Sequence, residues 1–272
     1  EFLMFGKLLK YDFRSMWKQF AFIWPAALAL ALVNRFTLTL PEESSALGNI
    51  IAGIAGLVYA AILIAMCVIA VIFVIQRFFK GLLGDEGYLM NTLPVKPWQL
   101  IVSKLLCASV ATIVSVLVAI LSILLLAPID GMDYIDIFRE TVRVFSELIR
   151  QYHANVPLLI IEFVVLCLVG LFASYLQLYL AMAIGHLFGR NRIAMSIIAY
   201  VGINAVLSVV TTVLGITFFS QFDELLGRLM AGMSDWQIWH TMMAGLILFT
   251  AVQAVVFFIV TERILHRHLN LE

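Results

Sequence analysis

The chain has 272 residues, of which 63% are hydrophobic and 12% charged, with 17 basic residues balancing 17 acidic ones. Mean hydropathy is +1.05. That composition excludes an ordinary soluble domain, and zero net charge gives no general attraction to nucleic acid, which is not expected as a partner.

The first element is an amphipathic stretch over residues 5–20. Phe5, Leu8, Leu9, Phe13, Trp17 and Phe20 recur at helical spacing, and Lys7, Lys10, Arg14 and Lys18 form the opposite stripe. The pattern predicts a helix lying in the inner membrane interface, with its cations near lipid phosphates. Trp17 is a candidate interfacial anchor. Charged residues precede a first span that is too long for a signal peptide, so the segment reads as an uncleaved anchor.

Six apolar runs follow, each long enough to cross a bilayer, at about 20 residues per crossing. They are Phe20–Leu40, Ile50–Ile75, Ile101–Ala127, Pro157–Ile184, Ile193–Phe219 and Ile238–Val260. The alternating ten-residue strands of a closed barrel are missing, which leaves helices as the spanning structure. The expected fold is therefore an all-α polytopic membrane protein forming a single domain over residues 1–272. With the N-terminus placed inside, twelve of the basic residues (Lys7, Lys10, Arg14, Lys18, Arg77, Lys80, Lys96, Lys104, Arg190, Arg192, Arg263, Arg267) fall on the inner side. Five (Arg35, Arg139, Arg143, Arg150, Arg228) fall outside. This bias puts both termini in the cytoplasm. Cys67, Cys107 and Cys167 all lie within spans, so no disulfide framework is implied.

The connector between the second and third spans, residues 76–104, is long and carries both signs of charge. The second span is expected to continue through Phe79 to about Leu83, where Gly84 can stop it. Asp85 and Glu86 then suit the start of a short new helix, because unpaired amides and the helix dipole favour carboxylates there. Tyr88, Leu89 and Met90 supply its apolar content, and Pro94 ends it. Pro97 fits the first turn of the third span, with Trp98 at interface depth. A short helix parallel to the inner surface results, with Phe79 and Trp98 as anchors.

Residues 128–156 form the largest outer segment. Ile135, Phe138, Val142, Phe145, Ile149 and Tyr152 repeat in a heptad-like pattern too short for a confident coiled coil. Asp130, Asp133 and Asp136 serve best as caps and first-turn charges. The inner loop 186–192 is short and basic, and residues 220–237 are again amphipathic.

Chemistry-bearing patterns are sparse. There is no P-loop, H-E-x-x-H or G-x-S-x-G, so no enzymatic activity is expected of this chain. His153, His186, His240, His266 and His268 are scattered, and no metal site is expected. An ionised residue at a span centre costs about 2.5–3.5 kcal/mol. Glu162, five residues into the fourth span, is the candidate for cargo or gating contact; no carboxylate, His or Lys is expected at mid-membrane, which argues against a proton-driven carrier.

Gly84-Asp85-Glu86-Gly87-Tyr88-Leu89-Met90-Asn91-Thr92-Leu93-Pro94-Val95, followed by Trp98-Gln99-Leu100-Ile101 and Lys104-Leu105-Leu106, resembles the corresponding stretch in the permease (transmembrane) subunit of bacterial type-2 ATP-binding cassette (ABC) exporters. With six spans and a cytoplasmic N-terminus, the resemblance covers nearly the whole chain. It implies a multi-pass protein of the bacterial plasma membrane, paired with a second permease copy or paralogue and with separate ABC ATPase subunits that hold ATP and Mg. The 84–98 loop would be the coupling helix seated in a groove of the ATPase, with Asp85, Glu86, Tyr88 and Leu89 in contact. Arg190 and Arg192 would make the smaller second contact. The implied cargo is an amphiphile or peptide moving outward; the 128–156 insert carries no motif that defines it. A non-transporting scaffold for a cytoplasmic protein and an ion-coupled secondary transporter are the competing readings.

Overall fold

The structure is a computed structural model describing residues 2–38, 46–79, 96–126, 134–152, 155–188, 191–230 and 232–267. Among the described residues the elements are helices: α1 (Phe2–Leu38), α2 (Ala46–Phe78), α3 (Pro97–Leu126), α4 (Tyr134–Tyr152), α5 (Asn155–His186), α6 (Arg192–Met230) and α7 (Asp235–Arg267). Among the described residues, five helical stretches are long and apolar enough to cross a membrane: Gly53–Phe78, Pro97–Leu125, Asn155–His186, Arg192–Thr217 and Asp235–His266. A sixth is reached if the bent pair Phe5–Lys18 and Phe20–Arg35, which meet at 41°, counts as one span. The amphipathic start and the first apolar run are thus one bent helix rather than two elements. Pro25 lies inside it, beyond that bend.

The chain divides into two units, residues 1–138 and 139–272. In the first, α1, α2 and α3 pack on one another. The buried face of α1 runs through Leu8, Asp12, Met16, Phe20, Trp24, Ala27 and Ala31, a stripe stepping by three and four residues, as one helix face requires. Phe20 stacks on Trp24 (5.2 Å between centroids) and meets Phe73 of α2 edge-on at 5.3 Å. Ala27, Ala31, Ala108 and Ala111 are all buried; small side chains let helix backbones approach closely where lipid gives no hydrophobic drive between them. Side-chain hydrogen bonds cross this packing. Trp24 Nε1 donates to Ser115 Oγ at 3.0 Å, and Tyr59 and Ser122 share a hydroxyl contact of 2.8 Å. Since Ser122 Oγ also donates to the Ala119 carbonyl, Tyr59 is the donor of that pair.

α3 begins at Pro97, as the sequence predicts. The Lys96 amide donates to Gln99 Oε1 at 3.2 Å and the Gln99 amide returns to the Lys96 carbonyl at 2.9 Å, a reciprocal closure of the first turn. Ser234 and Gln237 close the start of α7 in the same way, with the Ser234 amide donating to Gln237 Oε1 at 2.9 Å.

In the second unit α5 packs on both α6 and α7. Its core gathers at one end, from Ala173, Tyr175, Leu176, Tyr179, Leu180, Met182 and Ala183 with Phe257, Thr261 and Leu265 of α7. Gly185 permits the α5–α6 approach: a Cβ there would lie 2.1 Å from Ser196 Oγ and 2.6 Å from its Cα. Asn191, at φ 63°, makes the left-handed step into α6, a conformation asparagine tolerates better than most residues. Elsewhere large apolar side chains stand exposed, among them Ile161, Phe163, Val201, Val206, Leu248 and Val252. Faces of that kind need lipid or another protein against them.

Candidate functional site

Where α1, α2 and α3 meet at their basic ends, three ionisable groups converge. Asp12 occupies the middle of the buried α1 face and is 0% exposed. Its Oδ1 accepts from Lys104 Nζ of α3 at 2.7 Å and from Arg77 Nη2 of α2. Its Oδ2 accepts from Ser103 Oγ at 2.6 Å. Arg77 also donates through Nη1 to Ser15 Oγ at 3.1 Å, and its guanidinium lies over the Tyr11 ring, 5.6 Å from the centroid. One helix turn of α1 thereby grips the last turn of α2 and the second turn of α3.

The charges fix what this junction can do. Lys104 is seven residues into α3, roughly 10 Å from its start at 1.5 Å per residue, and its side chain is 1% exposed. A lysine so placed needs a buried counter-ion, and Asp12 supplies it. Asp12 in turn faces two cations, which favours its ionised form. Removing Asp12 leaves two cations in an apolar surround without their counter-ion, so this carboxylate holds the three helix ends together.

This junction brackets the sequence-predicted coupling segment: Arg77 closes the helix before residues 80–95 and Lys104 lies near the start of the helix after them. Asp85, Glu86, Tyr88, Leu89 and Arg190 themselves lie outside the described residues. Of the predicted anchors, Trp98 is 42% exposed at the start of α3 and Trp17 is 62% exposed, edge-on to Trp24 at 5.6 Å. Phe79 is half-buried, while its neighbour Phe78 is fully buried. Arg192 is turned back onto its own hairpin, with Nη1 3.1 Å from His186 Nε2, and the exposed side chains there are Leu187 and Phe188. Glu162 meets His240 of α7, with Oε2 2.8 Å from Nδ1.

Reading the sequence alone puts the apolar stripe of the first helix through Phe5, Leu8, Leu9, Phe13, Trp17 and Phe20. The structure buries Leu8 and Phe20 of that set, adds Asp12 and Met16 between them, and leaves Trp17 exposed. Asp12 carries a signal in hindsight: it is the lone acidic residue in a basic segment, four residues from Leu8 and four from Met16. A carboxylate on an apolar face asks for a buried cation, and Lys104, placed just inside an apolar run, asks for the reverse.

No family model matches the chain, and neither a curated protein nor a solved structure is detectably similar to it.

Proposed function

We propose that this chain is the transmembrane permease subunit of an ABC exporter, moved by a separate ATPase subunit that seats against the 84–98 loop. The observation carrying this reading is the Asp12–Arg77–Lys104 junction at the two helix ends that bracket that loop. A membrane protein that merely spans has no need to bury a lysine and an arginine against one carboxylate there. A protein that must pass a push from a cytoplasmic partner into its helices does, because a loose connector would absorb the displacement. In this reading ATP closes the ATPase pair, the loop moves with it, and α1, α2 and α3 tilt together at their inner ends. The motif from Gly84 to Val95 and the Thr-Leu-Pro-Val step within it support the same assignment.

The roles follow from position. Asp85, Glu86, Tyr88 and Leu89 contact the ATPase; Trp17, Phe79 and Trp98 hold the inner helix ends at the interface; Arg190 and Arg192, with the exposed Leu187 and Phe188 on the same loop, make the second inner contact. ATP and Mg belong to the partner, and a second permease copy or paralogue completes the pathway in a bacterial plasma membrane.

The test is purification of the tagged chain from native membranes in mild detergent, with bound proteins identified by mass spectrometry. A P-loop ATPase is expected in near-equal amount, and both Glu86→Lys and Leu89→Asp are expected to release it. A well-folded chain that captures no ATPase would refute the assignment and favour a scaffold or an ion-coupled carrier.

A further inference from the structure

In the second unit a carboxylate and an imidazole meet inside the apolar part of the helices. Glu162 lies seven residues into α5 and His240 five residues into α7, which at 1.5 Å per residue places them roughly 10 and 7–8 Å from those helix starts. Glu162 Oε2 and His240 Nδ1 are 2.8 Å apart, and each side chain is 16% exposed. Trp236, one turn earlier on α7, lies over the imidazole with 6.4 Å between centroids and 29° between planes. Tyr152 meets the Trp236 ring edge-on at 5.4 Å.

The hydrogen-bonding roles follow from chemistry. An ionised carboxylate only accepts, so Nδ1 carries the hydrogen of the shared bond. In the neutral ring Nε2 is then a bare acceptor, and it is buried without a hydrogen-bond partner among the described residues. The carboxylate behind Nδ1 fixes the tautomer and the orientation of the ring. Nothing among the described residues occupies that nitrogen. A proton fits it: Nε2 takes the proton from water, Nδ1–H stays donated to Glu162, and the new positive charge stands against the carboxylate.

We infer that Glu162 and His240 form a proton-binding site between α5 and α7. The inference does not depend on the exporter reading. Glu162 is the charged group on α5 that faces the imidazole, and Tyr152 approaches through Trp236. On α7 itself Asp235 stands at the helix start, five residues away. Glu147 and Arg150 of α4 are exposed, and Arg192, the charged residue among the described side chains of α6, lies at the opposite end beside His186. Protonation therefore changes the charge of an apolar site whose described partner is a single carboxylate, and the α5–α7 contact responds to the pH on that side of the membrane.

Trp236 makes the site observable, because an imidazolium in contact quenches indole fluorescence and a neutral imidazole does so far less. The experiment is tryptophan emission of the full chain in lipid nanodiscs between about pH 5 and 8, with Trp236→Phe subtracted to isolate that ring. The Trp236 signal should fall on acidification and lose the transition in His240→Gln. A Trp236 signal flat over that range, or a transition that survives His240→Gln, would overturn the inference. If the variants do not fold, solid-state NMR of the unsubstituted chain with ¹⁵N-histidine answers the same question. The histidine in contact with a glutamate carboxyl carbon should be the Nδ1–H tautomer and gain a second proton on acidification; an Nε2–H tautomer, or no gain, would overturn it.

Discussion

At the scale of single residues, Asp12 holds the first unit together at its basic end. Breaking a buried ion pair by removing one partner costs about 3–5 kcal/mol, because the other charge is left uncompensated. Asp12→Leu should therefore lower stability by about that amount in a detergent melt. Adding Lys104→Met should return a large part of the loss, since an apolar pair of similar volume replaces a desolvated one at little cost. If both singles and the double melt with the wild type, the carboxylate is not the counter-ion the geometry makes it. Gly185 carries a different constraint. A Cβ placed 2.1 Å from Ser196 Oγ and 2.5 Å from its amide nitrogen clashes with backbone as well as side chain. Overpacking of this kind costs about 1–3 kcal/mol. Gly185→Ala should show that loss in the same melt, and Ser196→Gly in the Gly185→Ala background should recover little, because the nitrogen and Cα remain in the way.

At the scale of elements, the helices were legible and their faces only in part: Leu8 and Phe20 of the predicted α1 stripe are buried, but Asp12 between them was not foreseen. Long apolar runs leave a helix little alternative in lipid, and the predicted starts at Pro97 and near Pro157 lie within two residues of the observed ones. The ends run further than hydropathy suggests. α6 continues to Met230 and α7 to Arg267, because backbone hydrogen bonding carries a helix on through polar residues after the apolar run stops. The place of Asp12 on the buried face of α1 was hidden for a specific reason. Periodicity ranks residues by polarity, so it assigns Asp12 to water, and only Arg77 and Lys104, at 65 and 92 residues' separation, reverse that assignment. The Glu162–His240 contact, 78 residues apart, was out of reach for the same reason, although Glu162 itself stood out. Trp24 is a further test of α1 docking. Trp24→Phe keeps most of the buried ring but loses the bond to Ser115, a net contribution of about 0.5–1.5 kcal/mol; Trp24→Phe with Ser115→Ala should cost no more than Trp24→Phe alone in thermal unfolding.

At the scale of the molecule, each unit buries its polar junctions and leaves wide apolar faces exposed. This is the economy of a protein whose solvent is hydrocarbon: the interior is reserved for groups that lipid cannot satisfy. It also means that the chain's function rests on what lies against it. The coupling account requires a push at residues 84–98 to arrive at α1 through Asp12, and ATP turnover of the partner reads that transmission from the other side. The decisive measurement is ATP hydrolysis by the co-purified complex in lipid nanodiscs, for the wild type and for Asp12→Asn, with the amount of bound ATPase determined in both. The account predicts that the ATPase stays bound and that its turnover falls severalfold in the variant. No captured ATPase, or equal turnover at equal occupancy, would contradict it.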